Sequence, residues 1–72
     1  MNLTIGEKIK VLMNRQGVTV TELAAATGQT RQNLSNKLNR DNFTEKEAEV
    51  LAKALGCSVS VIFTKIDTGE SI

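Results

Sequence analysis

Apolar residues recur three and four positions apart in four successive stretches of the chain, which is the periodicity of helices that bury one face. The first and last of these apolar stripes consist of Ile5, Ile9, Leu12 and Met13, and of Ala48, Leu51, Ala52 and Leu55. Each stretch begins at a threonine. The pattern predicts helices over about residues 4–16, 19–27, 30–38 and 44–55.

Three of the four threonines have a glutamate three residues later, as in Thr4–Glu7, Thr19–Glu22 and Thr44–Glu47. This is the pattern of the capping box, in which the threonine and the glutamate each satisfy a backbone amide of the first helical turn. The repeated boxes therefore support the helical prediction independently of the apolar stripes.

The central pair of helices is separated by Gly28, a residue that enters the left-handed conformation without steric cost and so ends a helix. Beyond this turn, Leu34 is placed to point back toward Leu23 and Ala24. The rest of the third helix is polar, rich in arginine, glutamine and asparagine. Such side chains match the hydrogen-bonding pattern of base edges in the major groove of DNA. Residues 19–39 are therefore predicted to form a helix-turn-helix.

The pattern changes after Gly56, where apolar and polar residues alternate from Cys57 to Ile66. Alternation with many β-branched residues is typical of a strand. A turn at Asp67–Glu70 would allow the last residues to return beside it, so we predict a short strand or hairpin over about residues 58–72. The alternative is a short fifth helix over residues 58–64.

The composition restricts the chemistry that the chain can perform. It has 72 residues, one cysteine and no histidine, which is the size of one small domain over residues 1–72. An internal disulfide, a histidine-based catalytic triad and a zinc site are excluded, and we expect no cofactor, no metal and no enzymatic activity. No apolar run or signal-peptide pattern suggests a membrane, so a cytoplasmic, nucleoid-associated location is expected.

The charges are distributed unevenly along the chain. Residues 1–40 contain six lysines and arginines against two glutamates, whereas residues 41–72 contain three lysines against six acidic residues. The basic half is the one that contains the predicted helix-turn-helix. This asymmetry favours a polyanion such as DNA as the partner of the first half.

The segments Glu22–Gly28 and Thr30–Asn36, with sequences ELAAATG and TRQNLSN, resemble the Cro/C1-type (XRE-family) helix-turn-helix. This family includes phage repressors and small regulators of bacterial mobile elements. The resemblance extends over roughly residues 4–55. It implies an all-α, lambda-repressor-like bundle of four to five helices, usually a homodimer bound to a two-fold symmetric, palindromic operator.

The resemblance also implies roles for single residues. Positions that commonly face the major groove are Arg31, Gln32, Asn33 and Asn36. Positions that commonly contact phosphate are Thr30, Asn39, Arg40 and the start of the second helix at Thr19. Lys37 is added as a phosphate contact because of its charge.

Two functions are compatible with these observations. The first is a sequence-specific, homodimeric transcriptional regulator that binds double-stranded DNA, most simply as a repressor. The second is an antitoxin-type module, in which the acidic second half or the C-terminal strand binds a partner protein while the helix-turn-helix binds DNA for autoregulation. The dimer interface is predicted at the C-terminal strand, with the fourth helix and the tail as the alternative.

Overall fold

A computed structural model describes residues 3–72 of the chain. These residues form four α-helices, namely α1 (Ile5–Gln16), α2 (Val20–Ala26), α3 (Arg31–Arg40) and α4 (Glu45–Ala54). The predicted all-α fold is confirmed. None of the helices in residues 3–72 is both long enough and apolar enough to cross a membrane.

Each helix begins where a threonine hydroxyl accepts a hydrogen bond from the third backbone amide of the helix. At Thr4, Thr19 and Thr44 the carboxylate of the glutamate three residues later accepts a hydrogen bond from the threonine backbone amide. Capping of this kind stabilises a helix by about 0.5–2 kcal/mol. The three predicted capping boxes are therefore present.

One core connects all four helices. Its buried members are Ile9, Met13, Leu23, Ala24, Leu34, Leu38, Leu51 and Leu55, with Leu12, Val18, Val20 and Phe43 packed against them. Leu23 and Leu34 are the most deeply buried large side chains, so the contact predicted across the central turn lies at the centre of the core. Ile5 departs from the predicted stripe and is 42% exposed, beside a shallow groove between α1 and α4.

The end of α3 differs from the prediction. Residues 39–42 were expected to form a connector after a helix ending at Leu38, but Asn39 and Arg40 lie inside the helix. The chain turns instead at Asp41, which adopts a left-handed conformation with φ of 54°. Aspartate tolerates this conformation better than most residues, so α3 gains two more residues and carries Asn39 and Arg40 on its last turn.

The C-terminal segment begins beside the groove between α1 and α4, which Cys57 to Val61 help to line. Residues 58–63 belong to no helix or strand, and a hairpin is closed by one antiparallel bridge between Thr64 and Ser71. The predicted hairpin is present as this minor element, and the alternative fifth helix is absent from residues 58–64. The radius of gyration is 13.8 Å, against about 11 Å for a compact chain of this length. All residues from Ser58 onward are exposed.

Candidate nucleic-acid interface

Helix α3 presents a polar face to solvent because its two apolar residues, Leu34 and Leu38, are both buried in the core. At 3.6 residues per turn, Gln32, Asn36 and Asn39 lie on the face opposite those leucines. All three are exposed. The helix therefore offers a row of amide side chains on a rigidly held surface.

The arginines of α3 lie near the two ends of this row. Arg31 is the first residue of the helix and is exposed on one flank, and Arg40 is the last and lies close to the outward face. The backbone positions of the two arginines are thus separated by about the length of the helix. The amide side chains of α3 could then contact base edges while the arginine at each end of the helix contacts phosphate.

The N-terminus of α3 is capped by Thr30, whose hydroxyl accepts from the Asn33 amide at 3.1 Å. The helix dipole adds partial positive charge at this end, which favours anions. Thr30 and Arg31 therefore lie where the backbone itself attracts a phosphate. Thr30 is exposed, as a residue in contact with DNA has to be.

A chain of side-chain hydrogen bonds joins α2 to the first turn of α3. The Thr27 hydroxyl donates to the Leu23 carbonyl at 2.9 Å, Gln29 Nε2 donates to Thr27 Oγ1 at 2.9 Å, and Asn33 Nδ2 donates to Gln29 Oε1 at 2.9 Å. Gln29 was not among the predicted site residues. The sequence pattern does not identify Gln29, because its contacts depend on how the turn brings Thr27 and Asn33 together.

Lys37 is engaged with another helix. Its ammonium group forms an ion pair with Glu47 of α4, and both side chains are about one-third exposed. The Lys37 ammonium, followed by the Thr44 backbone amide, lowers the pKa of Glu47 to about 2. The predicted phosphate contact of Lys37 would thus require it to leave Glu47.

Thr19 also has hydrogen-bond partners within its own helix end. Its hydroxyl accepts from the Glu22 amide at 3.1 Å and donates to the Glu22 carboxylate at 3.0 Å. The Thr19 backbone amide, together with its hydroxyl, lowers the pKa of Glu22. The structure thus brings Arg31, Gln32, Asn33, Asn36, Asn39 and Arg40 to solvent on α3. It places Thr19 at the separate N-terminus of α2. In residues 3–72 no acidic or cysteine side chains form a cluster suited to a metal ion.

Comparison of the sequence with models of known families agrees with this two-helix geometry. A model of the Cro/C1-type helix-turn-helix DNA-binding domain matches residues 8–67. The chain belongs to this family. The predicted resemblance is therefore confirmed, and double-stranded DNA is the ligand that the helix-turn-helix implies. The family is one of DNA-binding proteins, which are typically not enzymes.

The chain is also similar to a curated protein, the competence pilus inhibition repressor of Acinetobacter baylyi, with 39% identity over 62 residues. The alignment covers 85% of this chain and 56% of that repressor. The chain thus spans little more than half the length of this relative. No solved structure matches the chain.

Proposed function

We propose that this protein is a sequence-specific transcriptional repressor that binds a palindromic operator as a homodimer. The observation that carries the proposal is the pair of amide side chains, Gln32 and Asn36, on the exposed face of α3 opposite the buried Leu34 and Leu38. An α-helix of this kind fits the major groove, and amide side chains pair there with base edges. The name of the relative, a repressor, supports repression as the outcome.

The residues of α3 divide into base contacts and phosphate contacts. Gln32, Asn33 and Asn36 are assigned to bases, since glutamine and asparagine form two hydrogen bonds with adenine. Arg31 is assigned to guanine at the N-terminal flank, where a bidentate pair is worth about 1–3 kcal/mol of discrimination. The phosphate contacts are assigned to Thr30, Asn39 and Arg40.

Thr19 and Lys37 contribute differently to this proposal. Thr19 lies at the start of α2, and its contact with phosphate would come from the helix end, because its hydroxyl already bonds Glu22. Lys37 stays with Glu47 and holds α3 against α4. The cations of α3 assigned to DNA are then Arg31 and Arg40.

Dimerisation is assigned to the C-terminal hairpin. The strand at Phe63–Lys65 bonds the returning strand through Phe63 and Lys65, which leaves the N–H and C=O of Thr64 on the outer edge without a backbone partner among the described residues. Ile62 and Phe63 are 65% and 73% exposed. A second copy offers the same edge and the same apolar side chains, so that the two hairpins can pair about a two-fold axis.

The exposed hairpin also favours a second function. A partner protein could cover Ile62, Phe63 and Ile66, as expected for an antitoxin-type module. A chain that remains monomeric in light scattering, yet forms a stoichiometric complex with the product of an adjacent gene, would support this second function. A stable homodimer without such a complex would exclude it.

Selection of bound sequences from a random double-stranded DNA pool at near-physiological salt tests the leading function. We expect a palindrome whose half-sites are centred about 34–36 Å apart, one turn of DNA. Arg31→Ala should relax the preference at one base pair in each half-site. Lys53→Ala, at an exposed position of α4, should leave the selected palindrome unchanged. A pool without any enriched sequence would contradict the proposal.

A further inference from the structure

The hydrogen bonds among Thr27, Gln29 and Asn33 have a direction that the geometry fixes. A threonine hydroxyl has one proton, and the Thr27 proton is directed at the carbonyls of Leu23 and Ala24, at 2.9 and 3.3 Å. Thr27 Oγ1 can therefore only accept from Gln29. Gln29 must turn its NH2 group toward Thr27 and its carbonyl oxygen toward Asn33, which in turn must donate.

This direction determines what Asn33 presents to its surroundings. One N–H of its amide is directed at Gln29, which leaves Oδ1 and the second N–H free among the described contacts. An acceptor beside a donor is the pattern that pairs with N6 and N7 of adenine in the major groove. We infer that Gln29 is a positioning residue that sets Asn33 to recognise adenine, and this inference rests on the proposed DNA-binding function.

The third position of each helix supports this role. In α1, α2 and α4 that position is a glutamate, Glu7, Glu22 or Glu47, whose carboxylate closes the capping box. In α3 it is Asn33, whose side chain bonds Gln29 and leaves the Thr30 amide without the reciprocal bond. The first turn of α3 thus lacks an interaction that stabilises the other three helices, and its asparagine is held for a contact outside the chain.

The position of Gln29 explains why it is suited to hold Asn33. Gln29 is half-buried and its backbone amide donates to the Ala24 carbonyl at 3.0 Å, so its side chain starts from a fixed point in the turn. Asn33 is exposed and would otherwise sample several rotamers. Ordering such a side chain at an interface costs about 0.5–1.5 kcal/mol. Gln29 removes most of this cost before DNA binds, which corresponds to roughly 2- to 12-fold in affinity.

The test uses the operator that the wild-type protein selects and the three substitutions of each of its base pairs. Binding constants are measured for the wild type, Gln29→Ala, Asn33→Ala and the double variant. Asn33→Ala should remove the preference for adenine at one position in each half-site, a loss of roughly 5- to 160-fold. Gln29→Ala should reduce the preference at that same position by roughly 2- to 12-fold. In the double variant, the loss should equal that of Asn33→Ala alone.

Gln29→Glu distinguishes positioning of Asn33 from a general effect on the turn. Its carboxylate can still accept from Asn33 Nδ2 but cannot donate to Thr27, whose hydroxyl can turn its proton from the Leu23 carbonyl to the carboxylate. The adenine preference should therefore persist, while the affinity for all sequences falls because of the added negative charge. Gln32→Ala, at the next exposed position of α3, should alter a different base pair. Thermal unfolding of each variant checks that the helices remain folded.

The outcomes separate this inference from the proposed function. If the wild type selects no sequence, the repressor proposal fails and the inference fails with it. If it selects an operator but Gln29→Ala keeps every base preference, or adds its own loss to that of Asn33→Ala, only the role of Gln29 is overturned. An operator without adenine at the position that Asn33→Ala affects would also overturn it.

Discussion

Asp41 Oδ1 accepts a hydrogen bond from the Gly6 amide at 2.8 Å, which joins the end of α3 to the beginning of α1 across 35 positions of sequence. The Gly6 amide belongs to the first turn of α1, where backbone donors lack partners within the helix. The Thr4 hydroxyl and the Gly6 amide lower the pKa of Asp41. The residue that ends α3 therefore also ties this helix to α1.

Gly6 leaves no space for a side chain at this contact. A Cβ on residue 6 would lie 2.8 Å from Asp41 Oδ1, so Gly6→Ala should displace the carboxylate and lower the free energy of unfolding by about 1–3 kcal/mol. Urea unfolding followed by circular dichroism measures the loss. Asp41→Gly removes the carboxylate and suits the left-handed backbone, so Gly6→Ala should cost less in that background. Equal costs in both backgrounds would show that the contact is not responsible.

The ion pair between Lys37 and Glu47 predicts a dependence of stability on pH. The folded-state pKa of Glu47 lies near 2, below its ordinary value of 4.5, so the ionised carboxylate stabilises the fold above pH 4.5 and this contribution is lost as the pH falls toward 2. Glu47→Gln keeps the capping box, because glutamine can close it as well. The wild type should therefore unfold at higher urea than Glu47→Gln near neutral pH, and the difference should vanish in acid.

Lys37→Met provides the matched control for this prediction. Without the ammonium group, the pKa of Glu47 measured by NMR should rise toward its ordinary value, and Glu47→Gln should then have little effect near neutral pH. A Glu47 pKa that stays low in Lys37→Met would assign the shift to the Thr44 amide alone. Both side chains are partly exposed, so added salt should weaken the pair.

The helix caps and the apolar contact across the central turn were predictable from sequence, and the hydrogen bonds between helices distant in sequence were not. Thr4, Thr19 and Thr44 interact with residues three positions away, a spacing that the sequence displays directly. The bonds from Asp41 to Gly6 and from Gln16 Nε2 to the Leu55 carbonyl, at 2.7 Å, span 35 and 39 positions. Their partners are brought together only by the packing of the core, so no local pattern identifies them.

The tail illustrates a different limit of the sequence. Alternation from Cys57 to Ile66 predicted a strand, whereas within residues 3–72 this segment pairs only around Thr64. Across the turn at residues 66–68, Glu70–Ile72 bonds to Phe63–Lys65, and the described residues form a single bridge there. At the interface, likewise, the exposure of Gln32 and Asn36 followed from periodicity, whereas the role of Gln29 depended on the geometry of the turn.

The position of Arg40 predicts a change in the salt dependence of DNA binding. If its guanidinium contacts a phosphate, Arg40→Gln should reduce the slope of log K against log salt concentration by about 0.9 and weaken binding to all sequences alike. Titrations of a fluorescent operator at several salt concentrations measure this slope. Lys53→Gln changes the same charge on α4 and should leave the slope unaltered. An unaltered slope for Arg40→Gln would remove it from the interface.

The hairpin predicts how the oligomeric state responds to substitution. Ile62 and Phe63 expose apolar surface beside the unpaired edge at Thr64, so replacing both with serine should convert a dimer to a monomer. Light scattering coupled to gel filtration measures the mass, and circular dichroism should be retained because neither side chain belongs to the helical core. Binding to the full palindrome should then weaken to the level of a single half-site.

Val50→Ser is the control for this prediction and also tests the alternative interface. Val50 is exposed on α4, at 47%, and lies outside the hairpin. If the hairpin forms the interface, Val50→Ser should leave the mass unchanged. If Val50→Ser yields the monomer while the Ile62 and Phe63 double variant remains dimeric, the interface lies on α4. A wild-type chain that is monomeric at every concentration and on DNA would contradict dimerisation by either surface.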